Sequence, residues 1–492
     1  MDTAVATVRE LLNFVNAGNP VDRLRPEILV ACFVRLPFRS RIRASHVSRS
    51  WRAAALAYPQ VWSEIVLPHR MRNRPALLAT ALSRAGDLPV DLKVESMYPP
   101  NTKFLDCILA PYRHQLRRVE WRAMEQSGLW SLPAAGLEYL DCFRGLELAP
   151  GFLGGKSGVL SSLHLGSCNL PPLCPALSTV VDLYIRSMRL VTDASSFRRL
   201  FELFPQLESL SLTELDQRFS ESLPPGPAPP TLRRLNLETQ PPSYNLMPHY
   251  VAWDSGNLRN VRLWMRDTPP PDVGPIIRGA IVLYVNRAYG FRDTWMMSEH
   301  PNATVRTAGL ATSGTAWVAE RVLSARAGIQ QLHTVKISHT ALEPFLDVFA
   351  VLPALRHLVV HVGSEAAPRP FSDYDDDTPL PPPQYNFDWA PLRHVSRLPE
   401  SVSSLESLVV QVWRGRHEEP AICAGDADAL LGVLASMDTF SLPRIAVQGF
   451  PIAPAELHGL NVCFDTAARV GPLIRRLLGG PYVYYPFQSE RY

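Results

Sequence analysis

The sequence predicts an α/β chain: a small N-terminal helical module, then a solenoid whose short parallel strands form a curved sheet, with helices and proline-rich loops on the convex side. Three observations predict it. A compact helical pattern with its own apolar face occupies the stretch up to about residue 67. From Leu116 to Leu258, apolar residues two apart recur in units whose starts lie 20 to 27 residues from one another, and further units follow beyond it. Proline supplies 46 of 492 residues, well above the usual share of about 5%, which disfavours long helices and favours many short elements joined by turns.

The composition narrows the function classes. Hydrophobic residues make up 46% and charged residues 19%, enough to bury a large core. The net charge of +3 is small, and no basic run stands out beyond Arg74, so no nucleic-acid partner is expected. The seven cysteines are scattered and contain no C-x-x-C pair, which removes the usual spacing support for zinc or redox chemistry and leaves small buried thiols in a reducing compartment. Asp2, Arg9 and Glu10 interrupt any secretory-type apolar core, and no apolar run approaches the ~20 residues of a bilayer span. A soluble protein of the cytoplasm or nucleus, with no membrane partner, is the expectation.

Taken in order, residues 1–22 predict an amphipathic helix over Thr3 to Val15, ended by Gly18, Asn19 and Pro20. A second helix starts near Pro26, whose missing N–H costs nothing in a first turn, with Glu27 set against the positive helix end. Ile28, Leu29, Cys32, Phe33 and Leu36 form its stripe, and Pro37 stops it. A helix over Ser40 to Val47 turns Ile42, Ala44 and Val47 inward; another over Ser48 to Leu56 carries Trp51, Ala54 and Ala55. Trp62, Ile65 and Leu67 close the unit. A module this small is marginal unless something else covers part of its apolar surface.

The order Leu24-x-Pro26-Glu27-Ile28-Leu29, Phe33, Leu36-Pro37, Val47-Ser48-Arg49-Ser50-Trp51 and Trp62 resembles an F-box, over residues 23–67. The resemblance implies docking onto the Skp adaptor of a cullin-RING ubiquitin ligase. It implies adaptor contacts at Leu24, Pro26, Glu27, Ile28, Leu29, Leu36 and Pro37, and a core of Phe33, Val47, Trp51 and Trp62. Two positions depart from the family pattern: Arg25 replaces the first proline and Ser48 replaces a common cysteine. The competing reading is that the same apolar residues are only the core of a helical cap.

The remainder, 68–492, carries the signature L-x-x-L-x-L-x-x-C-x-L at Leu160 to Leu170, that of a leucine-rich repeat. It returns at Val180/Leu183/Ile185, Leu207/Leu210/Leu212, Leu232/Leu235/Leu237, Leu258/Val261/Leu263, Leu332/Val335/Ile337, Leu355/Leu358/Val360 and Leu405/Leu408/Val410, and more loosely at Leu116 and Leu137. The gap of 74 residues from 258 to 332 has room for three units, with weak strands expected at Ile281/Leu283 and at Val305. Paired apolar positions point into the core and the residues between them point out. Asp193 to Leu207 and two later stretches predict helical returns, whereas 222–231 and 267–275 predict extended loops. Residues 363–391, acidic and proline-rich, predict a flexible insertion. An F-box followed by such units resembles a group of fungal proteins.

On the outward positions, Tyr184, Arg186, Arg262 and Trp264 are the residue types that most often anchor protein interfaces, which makes them candidates for substrate contact. The mixed charge of that row argues against a phosphate track. No catalytic signature assembles: H-E-x-x-H, G-x-S-x-G, the phosphate-binding loop and the dinucleotide glycines are all missing. The sequence therefore predicts no enzyme, no cofactor and no metal. It predicts the substrate-recognition subunit of a ubiquitin ligase or, alternatively, a repeat scaffold whose F-box-like helices only cap the array.

Overall fold

Three short helices open the described chain: α1 (Pro26–Arg35), α2 (Phe38–Ala44) and α3 (Arg49–Ala57). A computed structural model of the protein describes residues 24–68, 74–95, 102–122, 128–146, 148–240, 244–254, 257–265, 272–287, 294–310, 315–366, 385–387, 389–398, 402, 405–413, 445–448 and 462–465. The expected helix over Thr3 to Val15 and the return at 426–437 lie outside these residues. The chain divides into two units, Met1–Gln240 with Pro248–Leu258, and Pro241–Met247 with Arg259–Tyr492.

The first unit holds a parallel ladder. Its strands are β1 (Glu64–Leu67), β2 (Val90–Val94), β3 (Leu116–Trp121), β4 (Tyr139–Gly145), β5 (Ser162–Ser167), β6 (Asp182–Ile185), β7 (Ser209–Leu215) and β8 (Arg234–Thr239). Each pairs with the next in sequence, so that chain order is sheet order. The paired apolar residues at 119/121, 140/142, 163/165, 183/185, 210/212 and 235/237 are all buried, as the two-residue alternation of a strand requires. Sequence reasoning assigned Ile65 and Leu67 to the helical module and left Val90 to Val94 without a role. Both stretches are strands that carry the recurring spacing upstream, with Glu64, Asp91 and Arg118 in register 27 residues apart.

The returns bury what the strands cannot. Asp193 caps its return by accepting from Ser195 N at 3.1 Å. The helix expected there is a 3₁₀ stretch, Ala194–Arg199, followed by a single α turn, Leu200–Leu203. Pro205 ends it, because the residue before a proline is pushed out of helical conformation. Phe197 meets Phe219 of the next return edge-to-face at 5.7 Å, so neighbouring units cover one another. Cys168 is buried beyond β5, its thiol pushed up to about 12 by burial. Beside it, Asn169 Oδ1 accepts from the backbone N–H groups of Thr192 and Asp193 in the following turn.

The second unit departs from simple succession. Its strands are β9 (Asn260–Met265), β10 (Val282–Arg287), β11 (Thr294–Glu299), β12 (Val305–Leu310), β13 (Thr334–Ser338), β14 (His357–Ala366), β15 (Tyr385–Phe387), β16 (Ser407–Trp413), β17 (Ile445–Gln448) and β18 (Val462–Asp465). β9 pairs with β12, β12 with β11, β11 with β10, and β10 with β13. The pairings on both sides of β11 are antiparallel, so β10 to β12 form a meander inside an otherwise parallel run. The two weak strands expected in the 258–332 gap are β10 and β12. The strand between them, around Trp295 to Met297, escaped notice because it lacks the leucine pattern.

β13, β14, β16, β17 and β18 then continue in parallel. The insertion read as flexible over 363–391 has strand at both ends: Ser364 to Ala366 of β14 pair antiparallel with β15.

The thiols offer a check on this packing. Cys32 and Cys107 are exposed, whereas Cys142, Cys168 and Cys174 are buried and burial raises the pKa of each. Labelling at neutral pH is expected to modify Cys32 and Cys107 within minutes and Cys142, Cys168 and Cys174 only after unfolding, at rates lower by roughly 100-fold or more. Peptide mapping by mass spectrometry reads this out directly.

Candidate functional site

The N-terminal helices present two apolar faces. On the inner face of α1, Leu29, Val30 and Phe33 are buried. On the outer face Ile28 is 53% exposed and Leu24, just before the helix, 43%. Pro26, Glu27 and Pro37 are exposed, and Leu36 is partly so. Of the seven expected adaptor contacts, only Leu29 turns inward. Tyr58 donates to Glu27 at 3.1 Å, and that hydrogen bond raises the tyrosine pKa.

The expected core needs one correction and one adjustment. Phe33 and Trp62 are buried, but Val47 is 63% exposed. The reason is the helix boundary: α2 starts at Phe38, turns Phe38, Arg41 and Ala44 inward, and ends before Val47, which falls in the turn leading to α3. Trp51 is half-buried, its ring 5.4 Å from that of Phe33. Ser48 has a local purpose, since its hydroxyl accepts from Trp51 N at 3.1 Å and caps α3. Trp62 Nε1 donates to Ala55 O at 2.7 Å, and the Arg84 guanidinium sits 4.6 Å above the indole. Truncating Trp62 to alanine is expected to cost about 3–5 kcal/mol of stability, read as a drop in the denaturation midpoint.

On the outward face of the first unit, Tyr184 and Arg186 belong to a wider polar cluster. Arg186 Nη2 donates to Asp141 Oδ2 at 2.9 Å, and its guanidinium lies 5.2 Å from the Phe143 ring and 5.4 Å from that of Tyr184. His164 stands between strands, with Nδ1 3.2 Å from Tyr139 Oη and Nε2 3.2 Å from Asp182 Oδ2. Its ring meets those of Tyr139 and Tyr184 edge-on. Arg118 covers Tyr139 at 4.4 Å, and burial pushes the Tyr139 hydroxyl up to about 12. Sequence reasoning chose Tyr184 and Arg186 one strand at a time. It did not choose Tyr139, His164 or Asp141, although their place in the outward alternation was available as a signal.

Arg262 and Trp264 belong to the second unit. Arg262 lies 5.4 Å from the Trp264 ring. Trp264 lies across Gly309, its partner in β12, so closely that a Cβ on that glycine would come within 2.0 Å of the indole. Further along the same face Lys336 Nζ donates to Tyr284 Oη at 2.9 Å, and Tyr284 donates to Glu299 at 2.7 Å. These partners escaped sequence reasoning because Tyr284 and Glu299 sit on the meander.

Burial, and then the charge of Lys336, hold the His361 imidazole down at about 4 against its ordinary 6.5. Between those values the unfolded chain binds a proton that the folded chain refuses, so this contribution is complete above pH 6.5 and is lost as pH falls toward 4. Thermal unfolding from pH 7 to about 4.5 is expected to show a steeper loss for the native chain than for His361→Gln.

Among the described residues, no group of three or more His, Cys, Asp or Glu side chains is placed to hold a metal, and no helix is long and apolar enough to cross a membrane. No curated protein matches the chain. Residues 22–68 do match the F-box-like family model, and the chain therefore carries an F-box-like domain at α1 to β1.

Proposed function

We propose that the protein is a substrate-recognition subunit of a Skp–cullin–F-box ubiquitin ligase. Its F-box-like domain docks a Skp-type adaptor, through it a cullin-RING assembly, and the strand units that follow are leucine-rich repeats whose outward face binds the target protein. The chain performs no chemistry of its own. It raises the effective concentration of the target near the transferring enzyme. The setting is intracellular.

The observation that carries this reading is the pair of apolar faces on α1. Leu29, Val30 and Phe33 already fill the inner face, so Leu24 and Ile28 do not hold the domain together. Isolated surface apolar residues are ordinary, but these two flank the exposed Pro26 at positions that match the adaptor-contacting ones of an F-box. The ladder supports the second half of the reading: successive parallel strands, one unit of 20 to 27 residues apart, with Tyr and Arg on the outward side.

The cap reading is favoured by a specific observation as well, because β1 lies within the F-box-like span and pairs with β2. The two readings are compatible, with the inner face capping and the outer face docking. A cap alone leaves Ile28 without a purpose. The test is reconstitution: the purified chain mixed with a recombinant Skp-type adaptor and a cullin-RING core is expected to co-elute as one complex. Elution of the chain alone at micromolar concentrations of all partners overturns the proposal.

A further inference from the structure

Among the described residues of the F-box-like domain, Arg41 is the one charged side chain that is buried, at 3% exposure. Its guanidinium makes five hydrogen bonds to three separate places. Nε donates to Leu36 O at 2.7 Å and Nη2 to Val34 O at 3.0 Å. These carbonyls belong to the end of α1, where helical carbonyls lose their intrahelical partners and a positive charge is favoured. Nη1 donates to Val61 O at 3.4 Å and Glu64 O at 3.2 Å, and Nη2 also donates to the Glu64 carboxylate. Val61 lies in the 3₁₀ turn that carries Trp62, and Glu64 is the first residue of β1.

We propose that Arg41 is a positioning residue. It fixes the Leu36–Pro37 corner of the docking face from behind and locks that corner to the first strand of the sheet, so that the end of α1 and β1 open together. The first half rests on the adaptor-docking reading above; the second half does not. Burying a guanidinium is costly unless its donors are all engaged, and here they are engaged by groups on separate elements. Lysine has three donors and no planar fork, so it cannot hold carbonyls in these separate directions at once.

The test is native-state hydrogen exchange on the full chain, combined with the affinity for a recombinant Skp-type adaptor. In Arg41→Met and Arg41→Lys, the amides of 33–41 and of 61–67 are expected to exchange about tenfold faster, both together, while β3 to β6 stay within about twofold of the native rates. Adaptor affinity is expected to fall about tenfold in both variants, although Arg41 does not reach the outer face. A merely structural role would loosen β3 to β6 as well, which overturns the proposal; so does acceleration of only one of the two segments, or of neither. If the Arg41 variants do not fold, Glu64→Ala decides: it removes one bond of the set, and a simultaneous rise of about two- to fivefold in both segments is expected, with a rise in one or none overturning the lock. Should Ile28→Asp bind adaptor like the native chain, the docking reading fails, and the exchange data still decide whether Arg41 joins the two elements.

Discussion

Replacing Ile28 by aspartate is expected to weaken Skp-type adaptor binding by about 100-fold or more, equivalent to roughly 2.7 kcal/mol, with the melting temperature held within about 2 °C. The two halves of that expectation come from the same helix. Ile28 lies on the outer side of α1, so a carboxylate there stays in water while the domain is free and meets no buried neighbour. On docking, the same carboxylate is carried into an apolar contact with no partner, and an unpaired buried charge costs several kcal/mol. Leu36→Asp should act in the same direction but less cleanly, because Leu36 is partly buried and its carbonyl is held by Arg41. Biolayer interferometry and calorimetry on the two variants check both halves. Binding at the native level by Ile28→Asp sinks the docking assignment; a collapsed melting temperature would instead mean that Ile28 belongs to the core.

Removing residues 1–67 is expected to unfold the first unit rather than release an intact array. Val61, Trp62, Ile65 and Leu67 are almost entirely buried, and β1 pairs along its whole length with β2, from Glu64 opposite Asp91 to Leu67 opposite Val94. Phe33 and Phe38 go with them. Six large apolar side chains at about 1.5–3 kcal/mol each come to about 9–18 kcal/mol, comparable to the whole 5–15 kcal/mol by which a typical domain is stable, before the newly opened edge of β2 is counted. Circular dichroism and size exclusion on the truncated chain should show lost cooperative unfolding and association. A monomer with native-like melting would show that the helices are an independent appendage.

How much of this was written in the sequence depends on what each signal consists of. The helix at Pro26 to Arg35 was legible because a proline start, an apolar stripe and a proline stop agree. The strands carrying paired leucines were legible because a two-residue alternation repeated at a near-constant interval is hard to produce by other means. β11 was not, since Thr294 to Glu299 carries methionine and tryptophan in place of leucine and runs against its neighbours. Val47 misled because the helix ends at Ala44, so the helical spacing that would set Val47 beside Ala44 no longer holds in the turn that follows. The outward residues were named correctly as outward, but which of them meet is a matter of register, and register is set between strands that the sequence lists separately. Arg41 gave no sequence signal at all: an arginine between arginines reads as a solvated face until its carbonyl partners are brought around it.

The meander at β10 to β12 bears on how the chain is made. In the first unit each new strand finds a finished neighbour as it leaves the ribosome. β9 does not, because the strand that completes its pairing, β12, is translated only after β10 and β11. From Met265 until Leu310 has emerged, one flank of β9 waits uncovered, and an unpaired strand edge of this kind is open to mispairing. A pause in translation once Leu310 has cleared the ribosome would fall at the point where that exposure ends.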